Sequence, residues 1–196
     1  MLRVDLNYPL TKYLYRPVSR SIATRLAPTR ATPLQLTLVG AAVVLGGAVA
    51  WALDAYLLGV ALVLVGQIID CVDGDLARIS GKTSAAGAFI DSVLDRWMDA
   101  ALIIGLGWSR LDEAELAMAC ALTGALVTSY VRARAQSLGV DCPQGIGTRD
   151  TRLLVLMIAA AVTRPIEGLW IVAAMGLTTA LHRTLWTMRA MRARTY

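Results

Sequence analysis

Residues 68–99 read IIDCVDGDLARISGKTSAAGAFIDSVLDRWMD, and the rest of the chain is best understood outward from them. An α-helix turns by about 100° per residue, so Asp70 and Asp73 project about 60° apart and Asp91 and Asp95 about 40° apart. Each pair therefore marks one face of its helix. The connection around Ser80–Ser84 is short, which predicts two antiparallel neighbouring helices whose four carboxylates converge.

Apolar runs flank this stretch on both sides. Upstream lie Leu34 to Leu53, with no charged residue, and a second run from Ala55 to Ile69. The third helix occupies Ser84 to Trp108, and three more follow over Ala114 to Arg134, Arg152 to Thr163 and Ile166 to Leu185. About 20 apolar residues suffice to cross a bilayer as a helix. Composition agrees: of 196 residues 57% are hydrophobic and 17% charged, and the mean hydropathy is +0.58. The expected fold is all-α and integral to the membrane, with six transmembrane helices over residues 33–196. Residues 1–32 mix Tyr8, Tyr13, Leu14, Tyr15, Ile22 and Leu26 with basic residues, and are expected to hold a juxtamembrane amphipathic helix on anionic lipid.

The net charge of +5 is not a nucleic-acid signature, because the basic residues fall between apolar runs. One side collects Arg3, Lys12, Arg16, Arg20, Arg25 and Arg30, then Arg78 and Lys82, then Arg132, Arg134, Arg149 and Arg152, then Arg183, Arg189, Arg192 and Arg194. The other side has only Arg110 and Arg164. The positive-inside rule then puts both termini in the cytoplasm of a multi-pass cell-membrane protein, with the acidic site on the same side. Trp51, Trp108 and Trp170 fall at the opposite span ends, where interfacial tryptophans gather, whereas Trp97 lies mid-helix, where packing is expected.

Four anions near the hydrocarbon edge repel and are costly to desolvate, so a positive partner is required. Oxygen-only ligation without His or Cys indicates a hard divalent cation such as Mg²⁺, Mn²⁺ or Ca²⁺. Gly74 and Gly87 leave room for a ligand to approach a helix backbone, and Arg78 can clamp a phosphate. Two other readings of the same residues stand beside this one. The acids can be structural ion pairs with Arg78 and Arg96, or the coupling site of an ion-driven transporter.

The pattern Asp70-x2-Asp73-Gly74-x2-Ala77-Arg78-x8-Gly87-x3-Asp91-x3-Asp95 is similar, at all eight positions, to the signature of the CDP-alcohol phosphotransferase family. The resemblance implies a juxtamembrane helix and six spans, a homodimer, and release of CMP as a phosphoalcohol passes from a CDP-alcohol to a second alcohol. It implies that Asp70, Asp73, Asp91 and Asp95 hold Mg²⁺ or Mn²⁺, usually as a pair. Asp95 would also be the general base, while Asp70, Asp73, Gly74, Ala77, Arg78 and Gly87 form the CDP site. Asp75 and Asp99 lie outside the signature; Asp75 is expected in an ion pair or at the surface, and Asp99 continues the Asp91/Asp95 stripe.

The segments SYVRARAQSLG and GIGTRDTRL resemble the inositol-phosphate-using branch, the phosphatidylinositol-phosphate and archaetidylinositol-phosphate synthases. This implies CDP-diacylglycerol as lipid donor and inositol 1-phosphate as acceptor, with Arg132, Arg149 and Arg152 on its phosphate, Arg134 in support and Arg183 joining from the last helix. Thr148 and Thr151 stand where the branch commonly has acidic residues. Glycerol 3-phosphate as acceptor remains an alternative. So does a non-lipid CDP-inositol donor, because DCVDGDLAR also resembles di-myo-inositol-phosphate phosphate synthases.

Overall fold

The computed structural model describes residues 10–143, 145 and 147–193. Arg3, Tyr8 and Arg194, counted above among the basic and amphipathic ends, lie outside the described residues. A π-helical turn, Thr11–Tyr15, runs into α1 (Arg16–Leu26). Six longer elements follow: α2 (Pro33–Ala52), α3 (Tyr56–Ile79), α4 (Ala85–Trp108), α5 (Leu111–Ser137), α6 (Arg149–Ala161) and α7 (Pro165–Arg192). No strand occurs among the described residues.

The helix ends follow local chemistry. Thr32 and Gln35 form a reciprocal capping box, and Pro33 occupies the start of α2, where its missing N–H costs nothing. After α3 the chain reverses through Gly81 at φ +65°, a left-handed conformation that glycine adopts without penalty. Ser84 then caps α4 by accepting from the Gly87 N–H at 3.0 Å. Thr148 caps α6 in the same way, accepting from Thr151 N. That cap gives Thr148 a role that does not need the acidic side chain usual in the branch.

Helix α2 is the post against which both acid-bearing helices pack. It crosses α3 where Gly40 meets Gly66: a Cβ on Gly66 would lie 2.5 Å from Val44 Cγ2 and 2.9 Å from the Gly40 carbonyl oxygen. It meets α4 at Gly105, where a Cβ would lie 2.3 Å from the Ala48 carbonyl oxygen. Small residues allow such approach in apolar surroundings, where packing rather than water drives association. On the other side α5 and α7 pack together, and one apolar core that includes Val44, Leu102, Ala121 and Leu169 joins the two halves.

Helices α2, α3 and α5 are each long and apolar enough to cross a membrane. Helix α6 has only 13 residues, a length of about 20 Å at 1.5 Å per residue. Backbone groups of the described irregular chain before it are met by other protein groups. Gly147 N donates to Thr179 Oγ1 at 2.9 Å, and Arg183 donates to the carbonyls of Pro143 and Thr128.

Helix α1 lies along α3 through Ala23, Val72 and Leu76. Ser19 Oγ donates to Asp75 Oδ2 at 2.5 Å. Its exposed surface combines Val18 and Ile22 with Arg16, Arg20 and Arg25, the amphipathic mixture expected from the sequence. Two tryptophans depart from expectation. Trp51 is fully buried, because the turn into α3 folds back and its Nε1–H donates to the Tyr56 carbonyl at 3.1 Å. Trp97 is 69% exposed; it lies on the outward stripe of α4 with Phe89 and Val93, spaced four residues apart.

Candidate active site

Three of the four signature aspartates converge tightly. One carboxylate oxygen from each of Asp70, Asp91 and Asp95 falls within 4.8 Å of the others, bringing the C-terminal half of α3 against the N-terminal half of α4. Asp73 lies beside this group: its Oδ2 accepts from Thr37 Oγ1 of α2, and it lines a cavity with Asp91. Thr37 carries no signal in the sequence, since nothing local links it to a residue 36 positions away.

The donor set fits a hard divalent cation. All its ligand atoms are carboxylate oxygens, and Asp70 Oδ1 is buried with no hydrogen-bond partner among the described residues. A buried anionic oxygen left without a donor is costly. That vacant acceptor is the feature a cation would use.

Two cavities flank the acids. The first, about 390 Å³, is lined by Thr37, Asp73, Gly74, Ala77, Arg78, Gly87 and Asp91, among others, and so unites the expected CDP-site residues except Asp70. Arg78 is half exposed, and its Nη2 donates to Asp75 Oδ1 at 2.7 Å. Asp75 thus forms the expected ion pair, but in a buried position that also fastens α1 through Ser19.

The second cavity, about 360 Å³, is lined on α4 by Ser92, Asp95 and Arg96, and on α5, α6 and α7 by Arg132, Arg149, Arg152 and Arg183, among others. Four of the five expected acceptor arginines meet here. Arg134 does not: it is exposed, with Nη1 at 3.4 Å from Ser137 Oγ on the outside of α5. The two residues are a helical 200° apart, so the cavity that holds Arg132 faces away from Arg134.

Asp99 joins the arginines to the acids. Its Oδ1 accepts from Arg149 Nε and its Oδ2 from Arg152 Nη2, both at 3.0 Å. Arg149 also reaches Asp95 Oδ1 at 2.9 Å, Asp70 Oδ2 at 3.9 Å and Gln67 Oε1 at 3.2 Å. Asp150, next in the chain, accepts from Leu10 N at 2.8 Å and Thr11 Oγ1 at 3.0 Å, tying the start of the chain's described part to α6. Among these residues the sequence flagged Asp99 only as the end of a stripe, and gave no sign of Gln67, Asp150 or the cavity position of Arg96.

The family profile described as CDP-alcohol phosphatidyltransferase matches residues 30–183. The chain belongs to the CDP-alcohol phosphatidyltransferase family. Among its relatives, archaetidylinositol phosphate synthase of Methanothermobacter thermautotrophicus is 32% identical over 188 residues, covering 91% of this chain and 94% of that one. The bifunctional IPC transferase and DIPP synthase of Rubrobacter xylanophilus is 39% identical over 182 residues, covering 90% of this chain and 42% of that one. Crystal structures of Mycobacterium tuberculosis phosphatidylinositol phosphate synthase share the fold. The form with CDP-DAG bound superposes with a TM-score of 0.81 at 25% identity, covering 87% of this chain and 94% of that one. The form with manganese and citrate gives 0.80 at 26%, covering 87% and 88%. This chain is thus a membrane phosphotransferase of that family, and the ion pairs Asp75–Arg78 and Asp95–Arg96 sit among its acids.

Proposed function

We propose that this family member transfers the phosphatidyl group of CDP-diacylglycerol to a hydroxyl of inositol 1-phosphate and releases CMP. The observation that carries the reading is the pair of cavities flanking the acids, one walled by small residues and Arg78, the other by arginines. A CDP-alcohol in the first cavity presents its pyrophosphate to Asp73 and Asp91. A phosphorylated acceptor in the second presents its hydroxyl to Asp95, with Arg132, Arg149, Arg152 and Arg183 around its phosphate. Asp95 takes the hydroxyl proton, the new oxygen–phosphorus bond forms at the β-phosphate, and the bond to CMP breaks.

Asp70, Asp73, Asp91 and Asp95 are the residues that would hold Mg²⁺ or Mn²⁺, and the manganese complex of the Mycobacterium tuberculosis relative supports a divalent ion here. Such an ion, when bound, neutralises charge on the pyrophosphate as the bond breaks. In this reading α2 to α7 are six spans, both termini and the site are cytoplasmic and α1 lies on that surface, which the segregation of basic residues to one side supports. The domain of residues 33–196 works as a homodimer, as its family resemblance implies.

A second reading, transfer from a non-lipid CDP-inositol donor, draws on the 39% identity to the Rubrobacter protein. Purified enzyme given labelled CDP-diacylglycerol or CDP-inositol, a panel of alcohols, and metal or chelator separates these. CMP release with CDP-diacylglycerol and inositol 1-phosphate, lost on chelation, supports the proposal. Product with glycerol 3-phosphate alone overturns the acceptor, and product with CDP-inositol alone overturns the donor.

A further inference from the structure

Five arginines line the second cavity, and their hydrogen bonds divide them. Arg152 gives Nη1 to the Gly147 carbonyl at 2.6 Å and Nη2 to Asp99 at 3.0 Å, with its side chain 5% exposed. Arg183 gives Nε to the Pro143 carbonyl and Nη1 to the Thr128 carbonyl. Arg149 gives Nε to Asp99 and approaches Asp95, Asp70 and Gln67 through Nη1, while its Nη2 is buried without an acceptor among the described residues. Much of the donor capacity of these three is spent on the protein itself.

Arg96 is different. It stands one helical turn after Ser92, so both face α5 across the cavity, towards Thr128 and Arg132. Its Nε–H is buried and has no acceptor among the described residues. Its contact with Asp95, Nη2 to Oδ2, is 3.4 Å, longer than a charge-assisted bond normally runs. The side chain of Arg132, on the facing helix, makes no hydrogen bond or ion pair with the described residues. Two guanidinium groups with idle donors on opposite walls repel each other, and an unanswered buried N–H is costly. A phosphate between them answers both, since each planar fork matches two phosphate oxygens.

We propose that Arg96 binds the phosphate of the acceptor alcohol, opposite Arg132, making it a specificity-determining residue that neither the signature nor the arginine segments contain. This rests on the reading of the acceptor as a phosphorylated alcohol. The competing role is local: Arg96 adjoins Asp95 and, by steadying that carboxylate, would govern turnover rather than acceptor affinity.

Steady-state kinetics on the full chain in detergent–lipid micelles separate the two roles. Arg96→Gln should raise KM for inositol 1-phosphate roughly 10- to 100-fold, the worth of one charge-assisted hydrogen bond. KM for CDP-diacylglycerol and kcat should change little, and Arg96→Lys should recover part of the loss. A fall in kcat with acceptor KM unchanged, or an equal rise in both KM values, overturns the proposal. If Arg96→Gln fails to fold by thermal melt, Arg96→Lys carries the test, and a wild-type acceptor KM in it counts against the assignment. If the wild-type enzyme uses glycerol 3-phosphate instead, the proposed acceptor fails while the same KM split still tests Arg96. An enzyme that accepts only unphosphorylated alcohols overturns both.

Discussion

Replacing Asp99 by asparagine removes the negative charge held between Arg149 and Arg152. The side chain is 9% exposed, so solvent screens the loss little. Two charge-assisted hydrogen bonds at 3.0 Å are affected, each worth about 1.5–3 kcal/mol. The asparagine oxygen can still accept from one arginine, but its NH₂ must then face the other guanidinium, donor against donor. Neither arginine is stripped bare, since Arg149 keeps Asp95 and Arg152 keeps the Gly147 carbonyl. The net loss should be about 2–4 kcal/mol, at the lower edge of what removing one partner of a buried pair costs. For a chain of this size that is a fall in melting temperature of roughly 5–15 °C. Thermal unfolding in detergent reads it directly, and a double-mutant cycle with Arg152→Gln should show strong coupling. An Asp99→Asn protein that melts with the wild type, or a cycle that is simply additive, would refute the clamp.

Three further outcomes are expected. Asp95→Asn should lower kcat at least about 100-fold, as for other lost general bases, while leaving CDP-diacylglycerol binding measurable by calorimetry. Gly105→Ala pushes a methyl into the Ala48 carbonyl and should cost about 1–3 kcal/mol through overpacking, seen as a lower melting temperature. Asp54, in the turn after α2, accepts hydrogen bonds from Ser109 and Tyr56, both at 2.7 Å, which hold its carboxyl below the usual aspartate value. A depressed folded pKa means stabilisation that is present above the unfolded value of about 3.9 and lost as pH falls through the folded one. The melting difference between wild type and Asp54→Asn should therefore be present at neutral pH and vanish in strong acid.

The sequence exposed what periodicity can carry. The observed helices begin and end within a few residues of the apolar runs, apart from two: α3 continues as helix past Ile69 through the acidic segment to Ile79, and α7 through the basic tail to Arg192. The i, i+4 spacing of Asp91 and Asp95 put them on one face, and that face does meet Asp70. What periodicity cannot carry is which distant residue a face will meet. Asp73 bonds Thr37 because α2 crosses α3 at Gly40 and Gly66, a crossing set by three-dimensional packing. Asp99 clamps residues 50 and 53 positions on, and nothing near it in the chain announces them. Arg134 shows the opposite limit: the resemblance of SYVRARAQSLG gave it a supporting role beside Arg132, and two residues along a helix point to nearly opposite sides.

Charge balance bears on how many cations the acids take up. With Asp70, Asp73, Asp91, Asp95 and Asp99 ionised, Arg96, Arg149 and Arg152 are the guanidinium groups paired among them, and two negative charges remain in excess. A donor pyrophosphate adds about two more, and an apolar surrounding makes each uncompensated charge expensive. One divalent ion would leave about two negative charges uncompensated; two bring the site close to neutral. The proposed chemistry therefore calls for two manganese ions per chain in the presence of a CDP-alcohol, countable by electron paramagnetic resonance of the free ion. A stoichiometry that stops at one, with the donor saturating, would break this balance and return the second pair of positive charges to the protein.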